Sequence, residues 1–235
     1  SGQSFTFDEN VFAGLVDGSG KATMAVGPLA RLNAPGLLAS LDRYPYGCTE
    51  QMTSRALPLL YFDEIARVMD LKGADNIQKR IDDAVMEILA NQSSTGGFGL
   101  WGPADGDLWL NAYVTDFLSR AKAQGYQVPD LAFKNALANL RNQVNYAPDF
   151  SSEINGGGEA LAYALMVLAR EGAAAVGDLR YYADVKGDDF STPIAMAQLG
   201  AALASYGDQA RADAMFRKAA AKMGSLAPEI GQTWR

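Results

Sequence analysis

The sequence has a single cysteine, and it lies three residues before a glutamine in the run Tyr44-Pro45-Tyr46-Gly47-Cys48-Thr49-Glu50-Gln51. A thiol and a carboxamide at that spacing can close on each other. The thiolate of Cys48 attacks the side-chain carbonyl carbon of Gln51, ammonia leaves, and an internal thioester remains as a stored electrophile. In the first turn of a helix, positions i and i+3 share one face, so the spacing permits the approach. A helix N-terminus also favours the thiolate through the dipole. Gly47 removes a Cβ where the chain must turn, and Pro45 holds Tyr44 extended. Tyr44 and Tyr46 supply aromatic bulk beside a bond that water would otherwise hydrolyse. Glu50, at the second helical position, suits the dipole whatever else it does. The plain alternative is that Cys48 is a small buried hydrophobe, as lone cysteines often are.

A helical framework is needed to present such a pair. Apolar residues recur at helical spacing over Thr49–Met69, with Pro58 predicting a kink or break. They do so again over Ala74–Gln92, where Ile77, Ile81, Val85, Ile88 and Leu89 form one stripe. Further helices are expected over Ala34–Asp42, Asp107–Gln124, Pro129–Val144, Glu159–Arg170, Ala175–Asp184, Thr192–Tyr206 and Asp208–Lys222, several stopping at glycine. Tyr163, Met166 and Val167 read as a core stripe. Ser1–Gly20 reads as a linker or tail, and Lys21–Pro28 as a short extended strand. No strand alternation rivals the helical pattern, so the fold class expected is all-α, built from antiparallel helix pairs that recur as an array.

Composition narrows the chemistry. At 235 residues, 49% of them apolar, the chain can bury one substantial core. A net charge of −7 disfavours nucleic acid and anionic membrane as partners. One cysteine excludes an internal disulfide and a multi-cysteine metal site. With no histidine, the usual serine and cysteine triads and zinc enzymes are excluded as well. No cofactor and no metal is expected. No stretch of about 18 apolar residues free of charge is present, so no membrane span is expected. Ser1-Gly2 opens a polar stretch rather than a signal peptide, and the chain reads as a fragment of a longer protein.

Three stretches together carry a family resemblance. Arg31-Leu32-Asn33-Ala34-Pro35-Gly36-Leu37-Leu38 leads into the Cys48 run, which continues to Arg55-Ala56-Leu57-Pro58-Leu59-Leu60-Tyr61. Gly96-Gly97-Phe98-Gly99-Leu100-Trp101 and Asp107-Leu108-Trp109-Leu110-Asn111-Ala112-Tyr113-Val114-Thr115-Asp116-Phe117-Leu118 follow. From about Lys21 to the end, the chain resembles the thioester-containing domain of bacterial α2-macroglobulins. The resemblance implies an α/α toroid of the terpenoid cyclase and protein prenyltransferase kind, occupying residues 21–235. Such a ring needs further helices after Lys222, so it is expected to be incomplete at the C-terminus. It further implies a single-use covalent protease trap of host-defence type, not an enzyme, in which Gln51 is the acyl donor and Cys48 the leaving group. The implied partners are target proteases, captured through their amines, and neighbouring domains of the same parent chain. The implied location is the periplasm or cell surface, with the parent anchored as a lipoprotein. Relatives in complement use a histidine to steer the acyl group to hydroxyls, and its absence here implies direct aminolysis.

Other readings stay open on the sequence. The pair can be unformed or hydrolysed, leaving a structural or interaction toroid. Asp105 and Asp107 can be paired carboxylates of a toroid glycosidase, although they and Asp188-Asp189 suit loop and N-cap positions better. Gly97-Phe98-Gly99-Leu100-Trp101-Gly102 matches a dinucleotide fingerprint by letter, but follows a helix in a chain without a parallel sheet. It reads instead as a tight turn with Phe98 and Trp101 packed as lids. Asn91-Gln92-Ser93 matches a glycosylation sequon, which the bacterial origin implied by the resemblance would make irrelevant.

Overall fold

The computed structural model describes residues 12–16, 19, 47–61, 77–151 and 153–225. The chain divides into two compact units, Ser1–Tyr44 and Pro45–Arg235. Of the first, only a short turn is described, in which the Leu15 N–H donates to the Phe12 carbonyl at 3.0 Å. The expected strand over 21–28 and helix over 34–42 lie outside the described residues, as do residues 62–76.

The second unit contains eight described helices: α1 Thr49–Leu59, α2 Ile77–Leu89, α3 Leu108–Ala123, α4 Asp130–Asn145, α5 Glu159–Arg170, α6 Val176–Asp184, α7 Pro193–Ser205 and α8 Gln209–Ser225. Among the described residues the only β pairing is three isolated bridges, so the all-α expectation holds. Pro58 does break its helix. It has no N–H to give the Ser54 carbonyl, and the chain tightens at once, with Leu60 N–H bonding to Leu57 and Tyr61 N–H to Pro58.

The odd-numbered helices pack on one another in sequence, α1 on α3, α3 on α5 and α5 on α7, while α2, α4, α6 and α8 pack against them. This is the inner and outer layering of an α/α toroid. Short connections join each inner helix from α3 onward to its outer partner, which makes the pair antiparallel. Each of those inner helices ends the same way. Gly125, Gly172 and Gly207 take left-handed backbone just past α3, α5 and α7. The next residue's N–H then reaches back to Ala121, Leu168 and Leu203 respectively. The longer connections, 90–107, 146–158 and 185–192, therefore gather at the other end, where the inner helices begin. Cys48 opens α1 at that end.

Two apolar clusters hold the unit together. One packs Ile81, Val85, Ile88, Phe98 and Phe117 beneath α1; the other packs Leu140, Leu165, Leu168, Phe190 and Leu199 among α3 to α8. The stripe expected on α2 is buried at Ile77, Ile81, Val85 and Ile88. Where α7 meets α8, a Cβ on Gly200 would come within 2.9 Å of the Phe216 ring, so the missing side chain is what lets the two helices close. Among the described residues, no helix is long and apolar enough to cross a membrane.

One buried carboxylate ties the inner helices together at their C-terminal end. Asp116, 3% exposed, accepts from Arg120 Nε at 2.8 Å, from Arg170 Nη2 and from the Tyr163 hydroxyl at 2.7 Å. Arg120 also donates to the Tyr61 hydroxyl at 2.9 Å. Tyr163 is therefore more than part of a core stripe: its ring is half-buried and its hydroxyl bridges α5 to α3, while Val167 is fully buried. Removing the carboxylate would leave two guanidiniums without their shared acceptor. Both are about one-third exposed, which softens the loss. Asp116→Ala should destabilise the fold by roughly 2–3 kcal/mol, measured by urea denaturation.

Candidate functional site

Cys48 is the N-cap of α1, with extended backbone (φ −74°, ψ 158°), and Gln51 is its third helical residue. These are the two positions of a capping box, in which the N-cap side chain reaches toward N3 and a Glu or Gln at N3 reaches back. Side chains at these two positions lie on one face of the first turn. Cys48 is a free cysteine and 7% exposed, and its side chain makes no capping hydrogen bond. The Gln51 carbonyl oxygen Oε1 is buried and has no hydrogen-bond partner, an arrangement that is costly for a carboxamide.

Of the two residues between them, Thr49 is held on every polar atom. Thr49 is fully buried. Its N–H donates to the Leu100 carbonyl at 2.9 Å, and its hydroxyl donates to the Gly99 carbonyl at 2.5 Å. The same hydroxyl accepts from Asn91 Nδ2 at 2.8 Å, and the Thr49 carbonyl accepts from Thr53 at 2.7 Å. The Cys48 carbonyl accepts from the Met52 N–H at 2.9 Å. The loop after α2 is thus bound to the helix start on which Cys48 and Gln51 sit.

That loop is braced in turn. Phe98 is fully buried and its N–H donates to Asn111 Oδ1 at 2.8 Å; Asn111 Nδ2 donates to the Gly106 carbonyl at 2.9 Å. A Cβ on Gly99 would stand 2.1 Å from the Gly102 carbonyl oxygen, so this glycine is required by the loop folding on itself rather than by a phosphate. The expected lid role holds for Phe98 but not for Trp101, which is 72% exposed. The carbonyls of Gly99 and Leu100 turn inward to Thr49, leaving the side chains of Leu100 and Trp101 outside.

Of the other expected site residues, Tyr44 and Tyr46 lie outside the described residues, and Gly47 is exposed. Glu50 accepts from the Ser54 hydroxyl at 2.7 Å, Ser54 shares a 3.0 Å hydrogen bond with the Tyr113 hydroxyl, and Tyr113 stacks on Trp109. This links the second motif residue to α3. Asp107 is the N-cap of α3, accepting from the Leu110 N–H at 2.8 Å, and Asp105 accepts from Ser93 and Thr95. Those hydroxyls hold the Asp105 carboxyl below its usual range. Asp188 pairs with Lys218 and Asp189 with Lys186. Each carboxylate has a structural partner, and among the described residues no three His, Cys, Asp or Glu side chains gather as metal ligands. Sequence reasoning gave Thr49 and Asn111 no role of their own and read Asn91 only as part of a sequon. Nothing in their types marks them, because their roles arise from contacts across 50, 42 and 13 residues.

Inner and outer helix layers, with a cysteine at the N-cap and a glutamine at the third position of an inner helix at the loop-rich end, define an α/α-toroid domain. The family model described as "A-macroglobulin TED domain" matches residues 21–152, and the chain belongs to this family, as the TED domain of a bacterial α2-macroglobulin. It is 34% identical over 191 residues to the α2-macroglobulin of Escherichia coli (strain K12), covering 77% of this chain and 12% of that protein. To the α2-macroglobulin of Xylella fastidiosa (strain Temecula1) it is 30% identical over 233 residues, covering 95% of this chain and 14% of that protein. The chain therefore spans about one-eighth of the length of these relatives, which carry further domains. Among solved structures, native E. coli α2-macroglobulin from domain MG7 to the C-terminus superposes with a TM-score of 0.72 at 31% identity, over 86% of this chain and 33% of that one. A Salmonella α2-macroglobulin reacted with methylamine superposes with a TM-score of 0.70 at 29% identity, over 83% of this chain and 13% of that one.

Two half-buried tyrosines, on α3 and α5, give a pH test of the packing between the inner helices. Burial pushes the Tyr113 phenol above its ordinary 10.0; the Ser54 hydrogen bond opposes this, and the charges of Glu50 and Asp116 add to it. Tyr163 is raised by burial and by Asp116. A proton held more tightly in the folded than in the unfolded chain stabilises the fold fully below about pH 10 and less above it, where the unfolded chain binds fewer protons. Urea denaturation should show stability falling from about pH 10 upward, and Tyr113→Phe with Tyr163→Phe should reduce that fall.

Proposed function

We propose that this chain is the reactive domain of a bacterial protease trap, in which Cys48 and Gln51 are joined as an internal thioester. The observation that carries the reading is the placement of a buried thiol at the N-cap and a carboxamide with an unpartnered buried carbonyl at N3 of one helix. The domain is taken to run from residue 21, where the family match begins, with residues 1–20 as a linker. Its relatives are α2-macroglobulins, a family of protease inhibitors rather than enzymes.

The chemistry balances within the pair. In closure the Cys48 sulfur bonds to the Gln51 side-chain carbon and ammonia departs. In capture a primary amine of a protease attacks the same carbon, the C–S bond breaks, and an amide forms on Gln51. Cys48 leaves as a thiolate and takes up the proton released by the amine. The electrophile is not regenerated, so each chain reacts once. Because the sequence has no histidine, no acyl-imidazole forms within this chain, and amines are favoured over hydroxyls as direct nucleophiles. The stored bond needs shielding from water, which falls to Tyr44, Tyr46 and neighbouring domains of the parent chain. A trap of this kind is placed in the periplasm or at the cell surface, with the parent held by a lipid anchor.

The test is intact mass and thiol count on the full-length parent, before and after methylamine. The closed bond leaves the protein lighter than its coded mass by one ammonia, with Cys48 unreactive to thiol reagents. Methylamine then adds one amine and frees one thiol, and Cys48→Ala abolishes both changes. Coded mass and a freely titrating Cys48 before amine would instead identify a non-reactive structural toroid.

A further inference from the structure

We infer that Thr49, held by Asn91, is a positioning residue for the thioester, so that the loop after α2 sets whether Cys48 and Gln51 close and stay closed. The inference rests on the reading of the pair as a thioester. It assigns a role to the residue that follows Cys48 and to a residue 42 positions further along the chain.

The argument starts from what fixes the sulfur. The Cα of Cys48 is bonded to the peptide whose carbonyl accepts from Met52 and whose N–H, that of Thr49, donates to Leu100. Both ends of that one peptide are therefore anchored, one by the helix and one by the loop. A lone loop carbonyl on an exposed tip would be a weak anchor, since Leu100 is 48% exposed. The Thr49 hydroxyl strengthens it by holding the preceding Gly99 carbonyl at 2.5 Å and Leu100 again at 3.2 Å. Asn91 Nδ2 saturates that hydroxyl from the other side, and the Asn91 carbonyl accepts from the Gly99 N–H at 3.1 Å. Thr49, Asn91 and Gly99 thus form a closed loop of hydrogen bonds directly beneath the Cys48–Gln51 turn. Bond formation between two side chains depends steeply on their separation, and a displacement of about 1 Å can cost on the order of a hundredfold in rate. A threonine at this position is not needed for helix formation, and β-branching is mildly unfavourable in a helix. The hydroxyl supplies what a better helix former would lack.

The experiment uses the full-length parent with Thr49→Val, which keeps shape and removes the hydroxyl, and Thr49→Ser, which keeps the hydroxyl and removes a methyl. The readouts are the fraction of folded protein lacking one ammonia by intact mass and the rate at which that deficit is lost in buffer. The wild type should be closed, Thr49→Ser close to it, and Thr49→Val either open or hydrolysing about tenfold faster. Where Thr49→Val does not yield folded protein, Asn91→Ala removes only the donor and should give the same direction. A folded Thr49→Val or Asn91→Ala protein that is closed and as long-lived as wild type would overturn the inference while leaving the thioester in place. A wild type with no mass deficit would overturn the thioester itself.

Discussion

Helix α1 begins at a buried threonine whose N–H, carbonyl and hydroxyl all have partners, and most of those partners lie on a loop some fifty residues further along the chain. The rest of the site depends on that constraint. A helix start is ordinarily free to fray, since its first N–H groups have no partner within the helix. Here the first of them is bound by Leu100, so the N-cap cannot drift away from the third residue. A buried sulfur and a buried carbonyl are thereby held at the two ends of one turn by the backbone rather than by their own contacts.

The toroid makes this constraint affordable in packing terms. Long connections gather where the inner helices start and short glycine-closed turns gather where they end, so the elaborate loops and the rigid brackets are segregated. The end away from the site carries Asp116 and its two arginines, which join α1, α3 and α5 through Tyr61, Arg120 and Arg170. The site end carries the loop of Phe98, whose ring reaches the core while its neighbours Leu100 and Trp101 face outward. The same loop therefore touches the core, the helix start and the solvent within four residues.

Much of this was legible in the sequence because it is periodic or local. The stripe on α2, the break at Pro58 and the glycine stops of α3, α5 and α7 each follow from a residue's own backbone or spacing. The Cys48–Gln51 pair was legible for the same reason, being a feature of one helical turn. The N-cap and N3 positions it occupies follow from where α1 starts, and the Leu100 and Gly99 carbonyls of the loop bind that start. Trp101 was misjudged because its burial depends on which way two backbone carbonyls turn, and nothing in Gly99-Leu100-Trp101 declares that. The roles of Thr49, Asn91 and Asp116 were not legible because hydrogen bonding across distant segments leaves no pattern in a single sequence. Tyr163 read as core from its spacing, whereas its hydroxyl serves the Asp116 bracket.

The central claim is that the sulfur of residue 48 and the acyl carbon of residue 51 share a covalent bond in the folded protein. Peptide mapping after reaction with isotopically labelled methylamine tests it at residue level. The account predicts that the label is found on Gln51 as an N-methyl amide, and that Cys48 is alkylated by a thiol reagent only after the amine has been added. Label found elsewhere or nowhere, with Cys48 alkylated equally in untreated protein under denaturing conditions, would contradict it.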